Sequence, residues 1–537
     1  MVRVQRSQSI ARVAYRAWSR IILLSAVIAL SSAPATADGA WFGLKLPEAR
    51  NQRSAKDREV YLNPDLGPLS LRLPESKDPY TDIRGEEIYQ YLQEILNITE
   101  QTRPEGERYW GRIAGSASEI ATAEYMADHF REFGLDDVRT EPVAGGKQWW
   151  PINWEVTLVG NSVYGDGTED QKLTSAFPAV HLASGALSVS GLEAELEYVG
   201  LGRPVDLIGR DLTGKIAVMQ SIMQPSPFFQ SARGYVEGVV EAGAVGVLVT
   251  MEAPENHQYV LEGMGPETVP TLILGGNDGR FVQEAIAANV SGTALKARLM
   301  LETEVRDGWQ GRNVLGLIKG STDEYVVIVA HLDGYFLSAN DNGGGLASML
   351  ALAKYFARQD TEPPKRNLLF VGTSGHHEFS DGVKSFIAGH SDVLADTVLI
   401  FNVEHPSSVQ SYYRGELVFG FGTVPGQLST TTTESTRGLT ISNGSTKLIS
   451  IYRDAIDRYG QVIDSTVNRR PTGDAFDFYE AGHTVVQILD ANLWYHSTGD
   501  LIDTMHRGGL ERATRLYAYV LDGIDRSSRV QLEATTP

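Results

Sequence analysis

Apolar positions in the first part of the chain recur with a helical period. Residues 86–101 and 118–134 place apolar side chains three and four positions apart, which predicts two amphipathic helices. The second helix is expected to stop at Gly134, because glycine commonly ends helices. An edge strand is predicted directly after it, over 136–144. This order of elements is typical of the opening of an α/β domain.

From residue 313 onward, continuous apolar runs alternate with helical segments. The predicted strands are 324–333, 366–374, 396–405 and 483–490, and the predicted helices are 344–359 and 510–524. Strands that lack polar alternation are buried on both faces. The expected fold class is therefore α/β, a three-layer arrangement around a mostly parallel sheet. In such sheets, ligands bind at the carboxyl ends of the strands.

Residues 161–305 have a different pattern and are predicted to form an insert. Short buried strands at 214–220 and 245–250 flank a helical segment at 231–244, which indicates a βαβ unit of its own. The predicted organisation is a proline-rich extension over 38–85, a main domain over 86–160 and 306–537, and the insert between its two parts.

The first 37 residues are typical of an export signal. They carry five arginines, the last at Arg20, and no acidic residue. A largely apolar run of 13 residues, Ile21 to Ala33, leads to small residues ending at Ala37. A spanning helix needs about 20 apolar residues, so an uncleaved anchor is the lesser alternative. We expect a signal peptide over 1–37, cut near Ala37, and a secreted or periplasmic protein that leaves the membrane after cleavage.

Charge and cysteine content narrow the function classes. The formal charge is −20, and it becomes −25 without the five N-terminal arginines. So acidic a chain is not expected to bind nucleic acid or anionic membranes. It has no cysteine, which excludes disulfides, thiol nucleophiles and cysteine metal ligands. Any metal ion must be held by histidine, aspartate and glutamate, a ligand set that suits zinc.

Metal-capable polar residues follow four of the predicted strands. These residues are His331, Asp333, Asp341 and Asn342, then His376, His377 and Glu378, then Glu404 and His405, and finally His496 and Asp500. Carboxylates that converge on one sheet edge repel each other unless a divalent cation compensates their charge. Two cations sharing a carboxylate would acidify a bound water and polarise a carbonyl, while a nearby base takes the water's proton.

The segment NVLGLIKGSTDEYVVIVAHLD with ANDNGGG, and the segment WYHSTGDLIDTM, resemble the first and last metal motifs of the family-28 zinc metallopeptidases. That group includes bacterial aminopeptidases and glutamate carboxypeptidase II, and the resemblance covers most of the chain past residue 85. It implies two Zn²⁺ or similar divalent ions and a peptide substrate. By the same likeness, Asp341 bridges the ions, His331 and His496 are terminal ligands, and Asp333 orients His331 from outside the coordination shell.

The insert resembles a protease-associated domain. The likeness lies in GRDLTGKIAVMQ and EAGAVGVLV. It implies a β-rich, non-catalytic module that shapes substrate access.

Four positions depart from the family pattern. The family has Glu-Glu after the second strand, the first as general base and the second as ligand. The ungapped match places His376 and His377 there, so the likeness implies His376 as base and His377 as ligand. If the loop shifts register, Glu378 is the ligand and His377 the base. Glu404 stands where the family has a ligating aspartate, and Ala475 stands where it commonly has a histidine.

Three hypotheses follow. The first is an exported dimetal peptidase of the aminopeptidase type, which hydrolyses peptide amide bonds. Its metals would be held by His331, Asp341, His377, Glu404 and His496. The second is a catalytically impaired relative that binds peptides or partner proteins. The third is a mononuclear acyltransferase resembling the glutaminyl cyclases.

Overall fold

The computed structural model describes residues 40–41, 44–45, 78–160, 169–179, 188–221, 231–253, 255–262, 269–288, 294–358, 363–414, 427–435, 437–461, 463–490 and 492–533. The predicted signal peptide and most of the predicted extension lie outside these residues. By its internal contacts the chain divides into Met1–Arg53 and Ser54–Pro537. Within the part that is described, none of the helices combines the length and apolar character needed to cross a bilayer.

The described residues form the following strands and α-helices. The strands are β1 (Ala40–Trp41), β2 (Leu44–Lys45), β3 (Gly111–Arg112), β4 (Asp136–Ala144), β5 (Lys147–Val159), β6 (Gln171–Lys172), β7 (Phe177–Pro178), β8 (Ser188–Tyr198), β9 (Ile216–Ser221), β10 (Gly246–Met251), β11 (Thr271–Leu274), β12 (Lys296–Asp307), β13 (Gln310–Ile318), β14 (Tyr325–His331), β15 (Gly334–Tyr335), β16 (Asn367–Thr373), β17 (Thr397–Val403), β18 (Val409–Arg414), β19 (Gln427–Glu434), β20 (Arg437–Ile441), β21 (Ile463–Asn468) and β22 (Val485–Leu489). The α-helices are α1 (Gly85–Gln101), α2 (Ala117–Phe133), α3 (Pro204–Leu207), α4 (Val236–Glu241), α5 (Gly276–Ala288), α6 (Gly344–Phe356), α7 (Asp381–Gly389), α8 (Ser391–Asp396), α9 (Thr446–Tyr459), α10 (Asp474–Glu480), α11 (Arg507–Arg526) and α12 (Arg529–Leu532).

The main sheet has eight strands in the order β21-β20-β22-β17-β14-β16-β13-β4. Its centre is parallel, since β14 pairs in parallel with β16 and β17, and β17 with β22. The antiparallel strands β13 and β4 close one edge. The predicted α/β class with a mostly parallel sheet is confirmed, and 136–144 is the edge strand that the pattern indicated.

Both faces of this sheet are covered by helices, which explains the continuous apolar runs. On β14, Val326 and Ile328 pack into the core cluster shared with α1, α2, α6, α9 and α11. Val327 and Val329 point the other way, into the cluster shared with α7, α8 and α10. A strand buried on both faces has no solvent-exposed face, so its sequence does not alternate between apolar and polar residues.

Helix α2 ends as its sequence predicts. Gly134 takes the left-handed backbone conformation at φ 82°, and its N–H donates to the carbonyls of Arg131 and Phe130. Glycine adopts that conformation without the steric penalty of a Cβ atom.

A second eight-stranded sheet, in the order β6-β5-β12-β8-β9-β10-β11-β7, takes its strands from Lys147–Asp307. β9 and β10 are parallel neighbours joined through α4, which is the expected βαβ unit. The helix predicted over 231–244 is shorter, because a 3₁₀ turn at Ser231–Gly234 precedes α4. Three glycines in that segment weaken the helix. The boundaries 161–305 stay a prediction.

Candidate metal centre

The polar residues predicted to meet do lie at one edge of the main sheet. His331 is the last residue of β14 and is in register with Thr373, the last residue of β16. The loops that follow β16 and β17 therefore begin beside His331 and carry His376 and Glu404. Parallel pairing places these strand ends together despite their separation in sequence.

Asp341 is the carboxylate around which four histidines gather. Its Oδ1 lies 3.3 Å from Nε2 of His331 and 2.9 Å from Nε2 of His405. Its Oδ2 lies 3.1 Å from Nε2 of His496 and 3.4 Å from Nε2 of His377. The two oxygens thus face two different groups of imidazoles, which is the arrangement a bridging carboxylate requires.

The donor atoms fit a divalent cation. Nε2 of His331, His377 and His496 and Oδ2 of Asp341 are buried and make no hydrogen bond with the described residues. Buried polar atoms normally have a partner. Two ligand atoms on a tetrahedral zinc ion lie about 3.4 Å apart, close to the separations around Asp341.

Three clusters of side chains could each hold a metal ion. Within each cluster, one ligand atom per residue lies within 4.8 Å of the others. The clusters are Glu262 with His377 and His496, His331 with Asp341 and His377, and His331 with Glu404 and His405.

Asp333 positions the loop that carries the two adjacent histidines. Its Oδ1 accepts a hydrogen bond from the backbone N–H of His376 at 3.0 Å, and its Oδ2 accepts one from His377 at 2.9 Å. The predicted contact with His331 is made chiefly by the Asp333 carbonyl, which lies 3.0 Å from Nδ1. The Asp333 carboxylate is 3.8 Å from that nitrogen.

His376 pairs with Asp474, a residue at the start of α10. Nδ1 of His376 is 2.9 Å from Oδ1 of Asp474, and its ring stacks on His331 with centroids 4.0 Å apart. Burial favours a low pKa for His376, but the charge and hydrogen bond of Asp474 outweigh it and raise the pKa to about 10. Burial likewise opposes ionisation of Asp474, yet His376 lowers its pKa to about 2.

Glu378 lies apart from the three clusters of described residues. Its Oε1 accepts a hydrogen bond from Nε2 of Gln148 at 3.0 Å. Burial raises the pKa of Glu378 to about 8. The carboxyl is thus hydrogen-bonded to the second sheet, whereas His377 directs Nε2 at Asp341.

Glu404 and His405 approach the centre from the end of β17. Oε1 of Glu404 lies 4.0 Å from Nε2 of His331, and its Oε2 accepts a hydrogen bond from Asn402 at 2.7 Å. His405 adopts a left-handed backbone at φ 44° and sets Nδ1 2.8 Å from the carbonyl of Asp490. Nε2 of His405 thereby reaches Oδ1 of Asp341.

Asp500 supports the backbone that carries Asp341. Its carboxylate accepts hydrogen bonds from the backbone N–H groups of Asn340, at 3.0 Å, and Asp341, at 3.2 Å. Burial raises the pKa of Asp500 to about 7. Asp500 therefore holds the central carboxylate without contacting its oxygens.

Glu262 is a site residue that no sequence motif identifies. It belongs to the second sheet's segment between β10 and β11, and its Oε1 lies 3.0 Å from Nδ1 of His377. Tyr335 donates a hydrogen bond to the same oxygen at 2.8 Å. Burial alone would raise the pKa of Glu262, but the contact with His377 lowers it to about 2.

Comparison with known proteins identifies the part of the chain that carries this site. Residues 313–521 match the family model described as Peptidase family M28. This segment belongs to peptidase family M28. The predicted resemblance to the family-28 metallopeptidases is thereby confirmed, and every strand-end residue of the centre described above lies inside the M28 segment.

Solved structures share the fold. An M28 peptidase precursor from Shewanella amazonensis has a TM-score of 0.62 at 18% identity, covering 82% of this chain and 96% of the other. The zinc aminopeptidase BSAP from Bacillus subtilis has a TM-score of 0.56 at 17% identity, covering 83% and 97%. An aminopeptidase from Aneurinibacillus sp. strain AM-1 has a TM-score of 0.51 at 19% identity, covering 82% and 94%.

A vacuolar membrane protease from Schizosaccharomyces japonicus is 26% identical over 144 residues. That match takes in 24% of this chain and 16% of the relative, so the chain corresponds to a small part of that protein.

Proposed function

We propose that this chain is an exported dimetal peptidase of the aminopeptidase type, acting on peptide amide bonds. The observation that carries the proposal is Asp341, whose two oxygens each face a separate set of imidazole nitrogens. The M28 match supports peptidase chemistry, and the solved aminopeptidases with the same fold favour removal of N-terminal residues. The N-terminal sequence favours export.

The proposed ligands divide between the two sides of Asp341. One zinc or similar ion would be held by His331, Oδ1 of Asp341 and Glu404, and the other by His496, His377 and Oδ2 of Asp341. When bound, such a pair supplies an acidified water and polarises the scissile carbonyl. Glu404 stands where the family has an aspartate. Its side chain is one methylene longer and carries the same negative charge.

His376 is the proposed general base, with Asp474 as its partner. Because Nδ1 faces Asp474, Nε2 is the ring atom that would accept a proton and return it to the leaving amine. Asp474 stabilises the imidazolium that forms, as a carboxylate does for a catalytic histidine elsewhere. Nearby cations lower the pKa of the ring, so it would be neutral before reaction.

Metal content per chain tests this proposal. Mature protein purified without chelator is analysed by mass spectrometry, as wild type and as His377→Ala. His483→Ala is the matched control, because His483 precedes the first residue of β22, whereas the metal centre lies past the last residue of that strand. Two metals in the wild type and the control, a loss in His377→Ala, and hydrolysis of aminoacyl amides would support the assignment.

Other stoichiometries point to the alternative hypotheses. About one metal per chain, with cyclisation or acyl transfer in place of hydrolysis, would favour the mononuclear acyltransferase. No metal after zinc is supplied would contradict the proposal and favour a peptide-binding relative.

A further inference from the structure

Histidine in place of glutamate at position 377 changes the net charge of the proposed metal centre. The family resemblance implies a glutamate at this position, which would bring a negative charge to the metal centre. A neutral imidazole ligand brings none, so two divalent ions would be less well neutralised. A carboxylate from another part of the fold could restore the balance if it contacted His377.

Glu262 makes that contact. Its Oε1 lies 3.0 Å from Nδ1 of His377, while Nε2 of the same ring lies 3.4 Å from Oδ2 of Asp341. The imidazole is therefore placed between a carboxylate on one side and the metal-capable cluster on the other. Histidines that ligate a metal through one nitrogen usually donate the other N–H to such a carboxylate.

The carboxylate itself is fixed in position. Tyr335, fully buried directly after the His331 strand, donates to Oε1 of Glu262 at 2.8 Å. Glu262 retains only 20% of its side-chain exposure. Ordering this side chain costs conformational entropy, which its contacts with Tyr335 and His377 offset.

The backbone before Glu262 is also tied to the loop of the last predicted ligand. The N–H of Val260 donates to the carbonyl of His496 at 2.8 Å, and the N–H of Thr498 donates to the carbonyl of Gln258 at 3.0 Å. Tyr259 and Ser497 pair between these bonds as an antiparallel bridge. This short ladder sets the distance between Glu262 and the centre.

We infer that Glu262 is the positioning residue and charge partner of His377, so that residues 255–262 complete the metal centre. The inference rests on the proposed metal-binding function. Glu262 holds the proton of His377 on Nδ1, which leaves the Nε2 lone pair for the metal, and it returns the negative charge that the histidine lacks. The second sheet then contributes to metal affinity, in addition to any effect on substrate access.

Zinc affinity of Glu262→Gln tests this role. Competition with a chromogenic chelator gives the Kd of each site in wild type, Glu262→Gln and Glu195→Gln. Glu195 is exposed on β8 of the same sheet and supplies the matched control. We expect one of the two sites of Glu262→Gln to bind zinc about 10- to 100-fold more weakly. The other site and the control should match the wild type.

Two further measurements separate a positioning role from damage to the fold. The cobalt-substituted protein should change its visible absorption in Glu262→Gln but not in Glu195→Gln, while the metal-free proteins unfold at the same temperature. If Glu262→Gln does not fold, Glu262→Asp replaces it. This variant keeps the charge but withdraws the carboxylate, so it should show a smaller loss of affinity.

Unchanged zinc affinity at both sites of Glu262→Gln would overturn the inference. An effect confined to KM for substrates with a free amino terminus would also overturn it, because Glu262 would then contact substrate. Both results leave the proposed function standing. Absence of metal from the wild type, in contrast, is a failure of the proposed function itself.

Discussion

Nδ1 of His376 lies 2.9 Å from Oδ1 of Asp474, although 98 positions separate the two residues in the chain. His376 follows β16, and Asp474 opens α10. The other oxygen of Asp474 accepts a hydrogen bond from Thr373 at 2.5 Å, which anchors the carboxylate to the end of β16. The contacts of Asp474 therefore fix the orientation of the His376 ring, the proposed general base.

Replacing Asp474 by asparagine should impair catalysis without removing metal. The asparagine has nearly the same shape but cannot stabilise the imidazolium, so we expect kcat to fall by about 10²-fold. Loss of the carboxylate lowers the pKa of His376, and the acid limb of the kcat/KM profile should move to lower pH. Rates on an aminoacyl p-nitroanilide across pH, with metal analysis of the same sample, provide the measurement.

A double mutant supplies the control for this pair. If Asp474 acts through His376, then His376→Ala and His376→Ala/Asp474→Asn should be equally slow, because the second change has nothing left to affect. Additive losses in the double mutant would mean that the two residues act independently.

Glu378→Gln distinguishes the two possible ligand assignments of the histidine-rich loop, His377 or Glu378. Glu378 is buried against Gln148, outside the three clusters of described residues, so the amide variant should retain full metal content. His377→Ala should lose metal. The comparison needs only metal analysis of the two purified variants. Loss of metal in Glu378→Gln with retention in His377→Ala would reverse the assignment and make Glu378 the ligand.

The sequence predicts much of the sheet and of its edge. Apolar runs such as 324–333 predict strands directly, because strands buried on both faces consist of nearly continuous apolar residues. The parallel topology then brings His331 and the loop after β16 together without knowledge of side-chain positions. Asp341 could be placed from its motif, since its spacing from His331 matches the family.

Contacts between distant segments could not be predicted in this way. Glu262 lies in a segment with no motif, and its relation to His377 depends on how the second sheet packs against the first. His405 depends on a left-handed backbone that turns its ring toward Asp341, and no local sequence pattern requires that conformation. Periodicity reports which face is buried, not which polar atoms meet across it.

Removing the metal should lower thermal stability. Without a cation, the buried carboxylates of Asp341 and Glu404, which both approach Nε2 of His331, bring negative charge to the centre that no bound ion neutralises. Each tightly bound ion stabilises the folded state by about 2.7 kcal/mol at a free concentration of 100 times its Kd. We expect chelation to lower Tm by several degrees and zinc to restore it, as followed by differential scanning fluorimetry. Asp341→Asn should show little of this response, and a full zinc-dependent shift in that variant would argue against a bridging Asp341.

Glu119 should make the chelator-treated protein less stable as pH rises. This glutamate lies in the first turn of α2, where its carboxyl accepts hydrogen bonds from Ser374 and from the Gly115 backbone. Burial raises the pKa of Glu119 from 4.5 to about 8. The folded state therefore holds a proton that the unfolded chain releases above pH 4.5, so stability falls between pH 4.5 and 8, by at most about 1.4 kcal/mol per pH unit. Glu119→Gln imitates the protonated form and should lose this slope. In urea unfolding, the free energy of unfolding of the variant relative to the wild type should therefore rise through the same pH window.

Glu124→Gln makes the same change at the partly exposed surface of the helix and should leave the slope unchanged. A constant difference between wild type and Glu119→Gln from pH 5 to pH 8 would show that the Glu119 carboxyl is ionised throughout.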